Sequence, residues 1–488
     1  MIVPIRTLDG STAQLDSNQL GQLRTRLRGD LLTPASPGYD VARAIWNGMI
    51  DRRPGLIARC QSAEDVTEAV RFARNHRLLL AVRGGGHNIA GNAVCEGGFV
   101  IDLSAMKSIQ VDPDARTAVV GPGCTLADVD RETQSYGLAV PTGINSTTGI
   151  AGLTLGGGFG WLSRRYGMTI DNLVGAQVVT AEGRLLRATA SDNADLFWAI
   201  RGGGGNFGIV TSFEFQLHPV GPEILAGLIV HPFEDAAEVL RFHRQFAAGL
   251  PDETAAWVVL RKAPPLPFLP EEWHGREVVV LVAFHAGNMH EGERILAPLR
   301  AYGRPIADVI GPQPYSGWQQ AFDPLLTPGA RNYWKSHSFV RLSDDLLDIL
   351  RDYAGRLPTP HCEVFLGQVG GAMNRIAKEA TAYPHREAEF IVNVHARWDS
   401  PSEDAACMGW ARGLFRDTAP FATGGVYVNF MPEDEGDRIT GAYGTNHARL
   451  VALKDRYDPT NLFRMNQNIR PSSGPAAGPD GPPLATAR

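Results

Sequence analysis

The sequence predicts an α+β fold, and three observations carry that expectation. Apolar strand-like runs follow one another with helices interspersed, not in the strict alternation of a doubly wound sheet. Glycine clusters at residues 84–86, 149–160 and 201–208 interrupt the first part of the chain. From about residue 222 these clusters thin out and longer strand-like runs begin, which marks a second domain.

Taken in order, Ser62 opens a helix with a capping-box pattern completed by Asp65, and Val66, Ala69, Val70 and Ala73 share its apolar face. Residues 78–82 read as a strand that delivers the first glycine cluster. Strands follow at 99–103, 108–111 and 117–120, the last two joined by the turn-forming residues 112–115. Thr125 and Asp128 cap another helix, which Gly137 ends. Residues 174–180 and 184–189 flank Glu182 and Gly183 as a hairpin. Ile209, Thr211, Phe213, Phe215 and Leu217 alternate along a half-buried strand.

In the second domain, strands are expected at 254–260, 277–284, 363–367, 390–398 and 426–430. Helices are expected at 290–302, 343–357 and 402–415, giving a sheet with helices on one face. A helix over 442–457 is stopped by Asp458 and Pro459. Residues 471–488, rich in Pro, Gly and Ala, are expected to be disordered.

Composition narrows the function. A chain of 488 residues with 44% hydrophobic content buries a large core. Its 46 basic and 52 acidic residues give a formal charge of -6, which argues against nucleic-acid or anionic-membrane partners. Residues 1–10 lack the layout of a signal peptide, and no apolar run reaches the roughly 18 residues of a membrane span. A soluble cytoplasmic protein is the expectation. The five cysteines are widely spaced with no C-x-x-C pair, so buried free thiols are expected and neither disulfides nor a metal site.

The most informative stretch is Arg83-Gly84-Gly85-Gly86-His87-Asn88, which sets one imidazole behind three glycines at the end of a strand. Bare backbone there and in the two later clusters implies a large cofactor. Gly203, Gly205 and Gly208 match G-x-G-x-x-G, but a helix precedes them and a strand follows, the reverse of a dinucleotide fingerprint. No Gly-Lys dipeptide exists, which removes a Walker A loop.

Together RGGGHNIAGN, VIDLS, GINSTTGIAGLTLGGGFGWLSRRYG, FWAIRGGGGNFGIVT and NLFRMNQNI resemble the FAD-linked oxidases with a PCMH-type FAD-binding domain. Within them the chain is similar to the bacterial berberine-bridge-enzyme-like group, from about residue 46 to 469. The resemblance implies an N-terminal segment (1–50) packed on an FAD domain (51–222). It implies a substrate domain (223–435), made of an antiparallel sheet covered by helices, and a C-terminal segment (436–470) that completes the FAD domain.

It also implies FAD bonded covalently through His87 to the flavin 8α-methyl. The family's second attachment cysteine aligns with Asn145, so a single link is expected. The cofactor shell would comprise Arg83, Gly84, Gly85, Gly86, Asn88 and Gly91, then Gly143, Asn145, Thr147, Thr148 and Gly149. Gly152, Gly157, Gly158 and Gly160 would follow, with Asp171, Asn172, Gly208, Ile209, Asn466 and Asn468 completing it. Phe159 replaces a tyrosine that some sugar-oxidising members carry. Thr148 lies where a small residue tends to admit oxygen to the flavin face.

Tyr427, in a Y-x-N motif, is the expected substrate-side base, with Lys335 as the neighbour that would acidify it. His385 and His395 are alternatives to it, with a structural role as the competing reading. The reaction implied is hydride removal from a C–H beside a hydroxyl or amine of a small organic substrate, a secondary metabolite or sugar-like compound, with molecular oxygen reduced to hydrogen peroxide. Oxygenation, a dehydrogenase activity and a non-catalytic flavin-bearing binding protein are the alternatives. Substrate identity and oligomeric state are left open by the sequence.

Overall fold

The computed structural model describes residues 2–473. Of the tail expected to be disordered, residues 474–488 lie outside the described residues.

Near the N-terminus a four-stranded sheet runs in the order Asp30–Leu32, Leu56–Arg59, Phe99–Asp102, Leu80–Arg83, the last three parallel. Helix Ala63–Asn75 packs Val66, Ala69, Val70 and Ala73 against Leu56, Phe99 and Ile101. Ser62 accepts from the Asp65 amide as expected. The reciprocal half of the capping box is a correction: the Asp65 carboxylate instead accepts the amides of Arg28, Gly29 and Gln61. A tertiary use of that carboxylate outcompetes the local one. The predicted helix at Leu126–Gln134 carries a complete capping box between Thr125 and Asp128.

A second sheet is antiparallel, in the order Leu185–Thr189, Leu173–Val179, Ile209–Gln216, Thr117–Val120, Ile109–Asp112. Both predicted hairpins are present in it. The helix Ala194–Ile200 precedes the third glycine cluster and Ile209–Gln216 follows it, so the G-x-G-x-x-G match is not a dinucleotide motif.

The largest sheet has eight antiparallel strands. Its path runs Ala307–Asp308, Glu223–Pro232, Glu277–His285, Thr254–Lys262, Glu363–Gln368, Phe390–Trp398, Arg331–Phe339, with Gly311–Pro314 beside the second of these. Helices Ala236–Ala247, Met289–Arg300, Asp344–Ala354 and Asp404–Thr418 cover one face. Strand alternation sorts the side chains: Val279, Leu281, Val364, Leu366, Val392 and Val394 pack under the helices. Val280, Val282, Trp257 and Phe365 point to the other face, against Trp161.

Four strands of this sheet, Glu223–Pro232, Ala307–Asp308, Gly311–Pro314 and Arg331–Phe339, and the helix Ala236–Ala247 were not foreseen. The strand expected at 426–430 is absent. That segment ends in a single helical turn, Val428–Phe430, and its amides go to local partners such as the Tyr427 carbonyl, which accepts from Phe430. The helix expected over 442–457 is broken. Ile439–Tyr443 and His447–Tyr457 are separated at Gly444, whose φ of +47° no continuous helix accommodates.

All five cysteines are buried thiols. Among the described residues no helix is long and apolar enough to cross a membrane.

Candidate active site

The glycine segments meet at one cavity of about 300 Å³. Along strand Leu80–Arg83, Leu80 and Val82 line it, and Gly84, Gly85, Gly86 and Asn88 continue its wall. Gly143, Asn145, Thr148 and Gly149 come from the second segment, and Gly152 from the helix Ile150–Leu155. Gly208, Ile209 and Asn466 close a further side.

His87 is half-buried at this cavity, its ring stacked on Trp46 with centroids 5.1 Å apart. Its Nε2 lies 3.0 Å from the Thr147 hydroxyl. Neighbouring bonds fix the tautomer. The Thr147 amide donates to Asn145 Oδ1 at 3.1 Å, which settles that atom as an acceptor. The Thr147 hydroxyl gives its only proton to the same oxygen at 2.7 Å. It therefore accepts from His87 Nε2–H, which leaves the Nδ1 lone pair free. Burial pushes the imidazole pKa down to about 4, so the ring is neutral at neutral pH.

The cavity also fits a large flat cofactor in ways independent of His87. A Cβ on Gly152 would meet nothing within 4 Å, and one on Gly205 only Asn466 Nδ2 at 4.0 Å, so bare backbone faces the space. Asn466 Oδ1 and Trp334 Nε1, both on cavity-lining residues, are buried without hydrogen-bond partners. Gly85 and Gly149 serve a different need: a Cβ on either would come within 2.5 Å of the other's backbone. These two glycines let the first and second segments cross.

Several expected shell residues lie elsewhere. Alternation turns Arg83 away, and its guanidinium bonds the Ala42 carbonyl. Gly91 forms a turn at φ +73° beside Ile50. Gly157, Gly158 and Gly160 pack against Met168, Thr169 and the Thr142 carbonyl. Asp171 holds Arg386, and Asn172 bonds His218 and the carbonyls of Tyr166 and Met168. Asn468 is not on the cavity wall, although its Oδ1 is buried and unpartnered.

Tyr427 borders the cavity, but its hydroxyl accepts from the Gly158 amide at 3.0 Å and Asn429 Nδ2 at 3.1 Å. Burial pushes its pKa up to about 12, against the lowering effect of these two bonds. The phenol keeps its proton at neutral pH, which corrects the expectation of a base. Lys335 is a second correction. It sits one residue past the cavity-facing Trp334, so it points to the opposite face, where Asp434 and Glu435 hold its ammonium at 3.1 and 2.9 Å. It cannot acidify Tyr427. His385 bonds the Ala442 carbonyl and is structural, whereas His395 lines the cavity.

Sequence reasoning missed Trp46, whose indole bonds the Leu326 carbonyl while backing His87. It also missed Asn206, which ties Gly203, Gln467 and Ile469 together and so positions the Asn466 segment. Glu363 and Arg261, paired at 2.8 Å, went unnoticed as well. A polar residue every second position on an otherwise apolar strand, as at Asn393 and His395, was the available signal.

Fold and cavity together define a flavin-binding protein. Residues 54–189 match the family model described as an FAD binding domain, and residues 426–470 match berberine and berberine like. An FAD-linked oxidoreductase of Dictyostelium discoideum is 32% identical, covering 87% of this chain and 91% of that protein. The (R)-6-hydroxynicotine oxidase of Paenarthrobacter nicotinovorans is 31% identical, covering 91% and 97%. The solved structure of 6-hydroxy-D-nicotine oxidase from Arthrobacter nicotinovorans superposes with a TM-score of 0.80 at 31% identity, over 91% of this chain and 98% of that one. The chain belongs to the berberine-bridge-enzyme-like family of FAD-linked oxidoreductases.

Proposed function

We propose that this FAD-dependent oxidoreductase is a monocovalent oxidase. It removes a hydride from a C–H beside a hydroxyl or amine of a small organic molecule, with molecular oxygen as acceptor and hydrogen peroxide as product. One observation carries the reading: His87 is neutral, offers a free Nδ1 at the cavity, and has Asn145 where a second attachment cysteine would stand. FAD supplies the hydride acceptor and the route of two electrons to oxygen.

The chain's residues do the rest. Residues 51–222 and 436–470 hold the cofactor through His87, the open backbone at Gly152 and Gly205, and Asn466. Residues 223–435 supply the substrate wall, with Trp257, Trp334 and Phe365 excluding water. The Tyr427 hydroxyl, anchored by Gly158 and Asn429, presents a proton as a hydrogen-bond donor. Thr148 borders the cavity with a hydroxyl that makes no bond among the described residues, which favours oxygen access there. The name of the Paenarthrobacter relative supports an oxidase rather than a dehydrogenase.

Intact mass and the visible spectrum of acid-denatured, washed protein test this, with His87→Ala beside it. The expected result is one added FAD and a colour that stays with the polypeptide, both lost in the variant. A colourless, unmodified wild type after flavin supplementation would refute the covalent link. Peroxide released in step with substrate consumed is expected on turnover.

A further inference from the structure

A second, smaller cleft of about 70 Å³ adjoins the main cavity and shares Trp257, Phe365 and His395 with it. Its remaining wall is almost wholly apolar, with Trp161, Leu228, Val259 and Phe268 prominent. Three charged or ionisable side chains alone break that wall: Arg261, Glu363 and His395. They form a chain. Arg261 Nη1 donates to Glu363 Oε2 at 2.8 Å, and Glu363 Oε1 lies 3.0 Å from His395 Nδ1.

The chain sets the chemistry of His395. Burial raises the pKa of the Glu363 carboxyl, but Arg261 and His395 outweigh it and hold it at about 2, so it is an anion and must accept from Nδ1–H. Nε2 is then the lone-pair nitrogen. The Asn393 amide nitrogen donates to it at 2.7 Å, a bond that a substrate hydroxyl must displace to reach the single lone pair there, while Asn393 Oδ1 is buried with no partner. A half turn of that amide would place the orphaned oxygen against Nε2, which is favourable only once Nε2 carries a proton. The unpartnered acceptor is thus matched to a protonated His395. Trp334, stacked at 4.6 Å with a 12° tilt, holds the ring in plane.

We propose that His395 is the base of this enzyme, and that its substrate is an apolar ring compound whose hydroxyl gives its proton to Nε2 while the ring occupies the adjoining cleft. This deepens the oxidase reading and rests on it. In the proton step the substrate O–H bond breaks, an N–H bond forms at Nε2, and the oxygen keeps the electron pair as an alkoxide or phenolate. Arg261 and Glu363 cancel, so the proton gained leaves a net positive charge beside the new anion. Glu363 is a positioning residue that fixes the tautomer and stabilises the imidazolium. Arg397, on the strand of His395, is the other charged group that acts on Glu363. A polyhydroxylated sugar would leave most of its hydroxyls unpaired against this apolar wall.

The test uses 4-nitrophenol, an apolar ring with one ionisable hydroxyl whose phenolate absorbs distinctly from the phenol. The flavinated protein is titrated across pH, and the ionisation of bound probe is read by difference absorbance. Wild type is expected to bind the probe as phenolate at pH values where the free probe is still largely protonated, a shift of at least about one pKa unit, or tenfold. His395→Gln is expected to bind the neutral probe and abolish the shift. Glu363→Gln should reduce the shift while leaving binding in place, and Trp257→Ala should weaken binding without abolishing the shift. An unaltered shift in folded His395→Gln, or no binding by wild type, would overturn the proposal. Covalent flavin content, read by mass, is independent of both, so failure here is separable from failure of the oxidase reading.

Discussion

The carboxylate of Asp171 grips the guanidinium of Arg386 through two bonds of 2.8 Å, with both side chains almost fully buried. Arg386 also donates to Thr381 Oγ1, and Asp171 accepts the Met168 amide. The pair ties the turn after the GGGFG block to the 373–386 loop. Asp171→Ala would strand a buried cation and is expected to cost about 3–5 kcal/mol, with much of the loss recovered in Asp171→Ala/Arg386→Met. Chemical denaturation checks this; a variant with full stability but no FAD uptake would instead make Asp171 a cofactor ligand.

Removing the acceptor that fixes the His87 tautomer should slow covalent attachment. For Thr147→Val the expected rate of FAD incorporation, followed by mass, falls about tenfold or more, roughly 1.4 kcal/mol of barrier. In wild type the same rate should be flat across neutral pH and fall as pH drops through about 4, where the imidazole gains a proton and loses its lone pair.

Gly85→Ala places a methyl 2.5 Å from the backbone of Gly149. Neither segment can yield without reshaping the cavity, so a loss of about 1–3 kcal/mol is expected together with impaired flavin incorporation. Gly152→Ala, with open space at its Cβ, should keep stability and slow only FAD incorporation. Thermal melts of the two apoproteins separate these outcomes.

Thr148→Leu should leave reduction of the flavin by substrate intact and slow its reoxidation by oxygen by about tenfold or more. Stopped-flow measurement of the two half-reactions distinguishes this from a general loss of activity.

His243 and His337 are buried neutral, and desolvation holds both near a pKa of about 4 against 6.5 in the free residue. Between those values the unfolded chain takes up protons that the native protein refuses. Stability should therefore fall as pH drops from 6.5 toward 4, by at most about 1.4 kcal/mol per unit for each histidine, and level off below. His243→Gln should flatten the slope measured by denaturant titration.

Much of the fold could be read from local pattern. The helix Ala63–Asn75 and the hairpin of Leu173–Val179 with Leu185–Thr189 appear because one face of each is buried, which imprints a period. Glu223–Pro232 was missed because both its faces are buried, which erases the alternation. Arg331–Phe339 was missed for the opposite reason. Its buried Lys335 and His337 are satisfied by Glu435 and the Phe415 carbonyl, 100 and 78 residues away in the chain, so from the sequence they read as exposed residues.

The sequence by itself determined the cofactor class, through its resemblance to FAD-linked oxidases, and the glycine segments that meet at the cavity, because both show as residue types at short fixed spacings. Only the tertiary structure decided which polar groups face the cavity. Tyr427 lost its role as base because burial keeps its phenol protonated, outweighing the bonds that Gly158 and Asn429 donate to it, and Lys335 lost its role because a strand reverses facing at every residue. The proposed base, His395, is set by Glu363, itself held by Arg261, and by Asn393. Protonation states follow from partners and burial, and both are set by segments far apart in the chain.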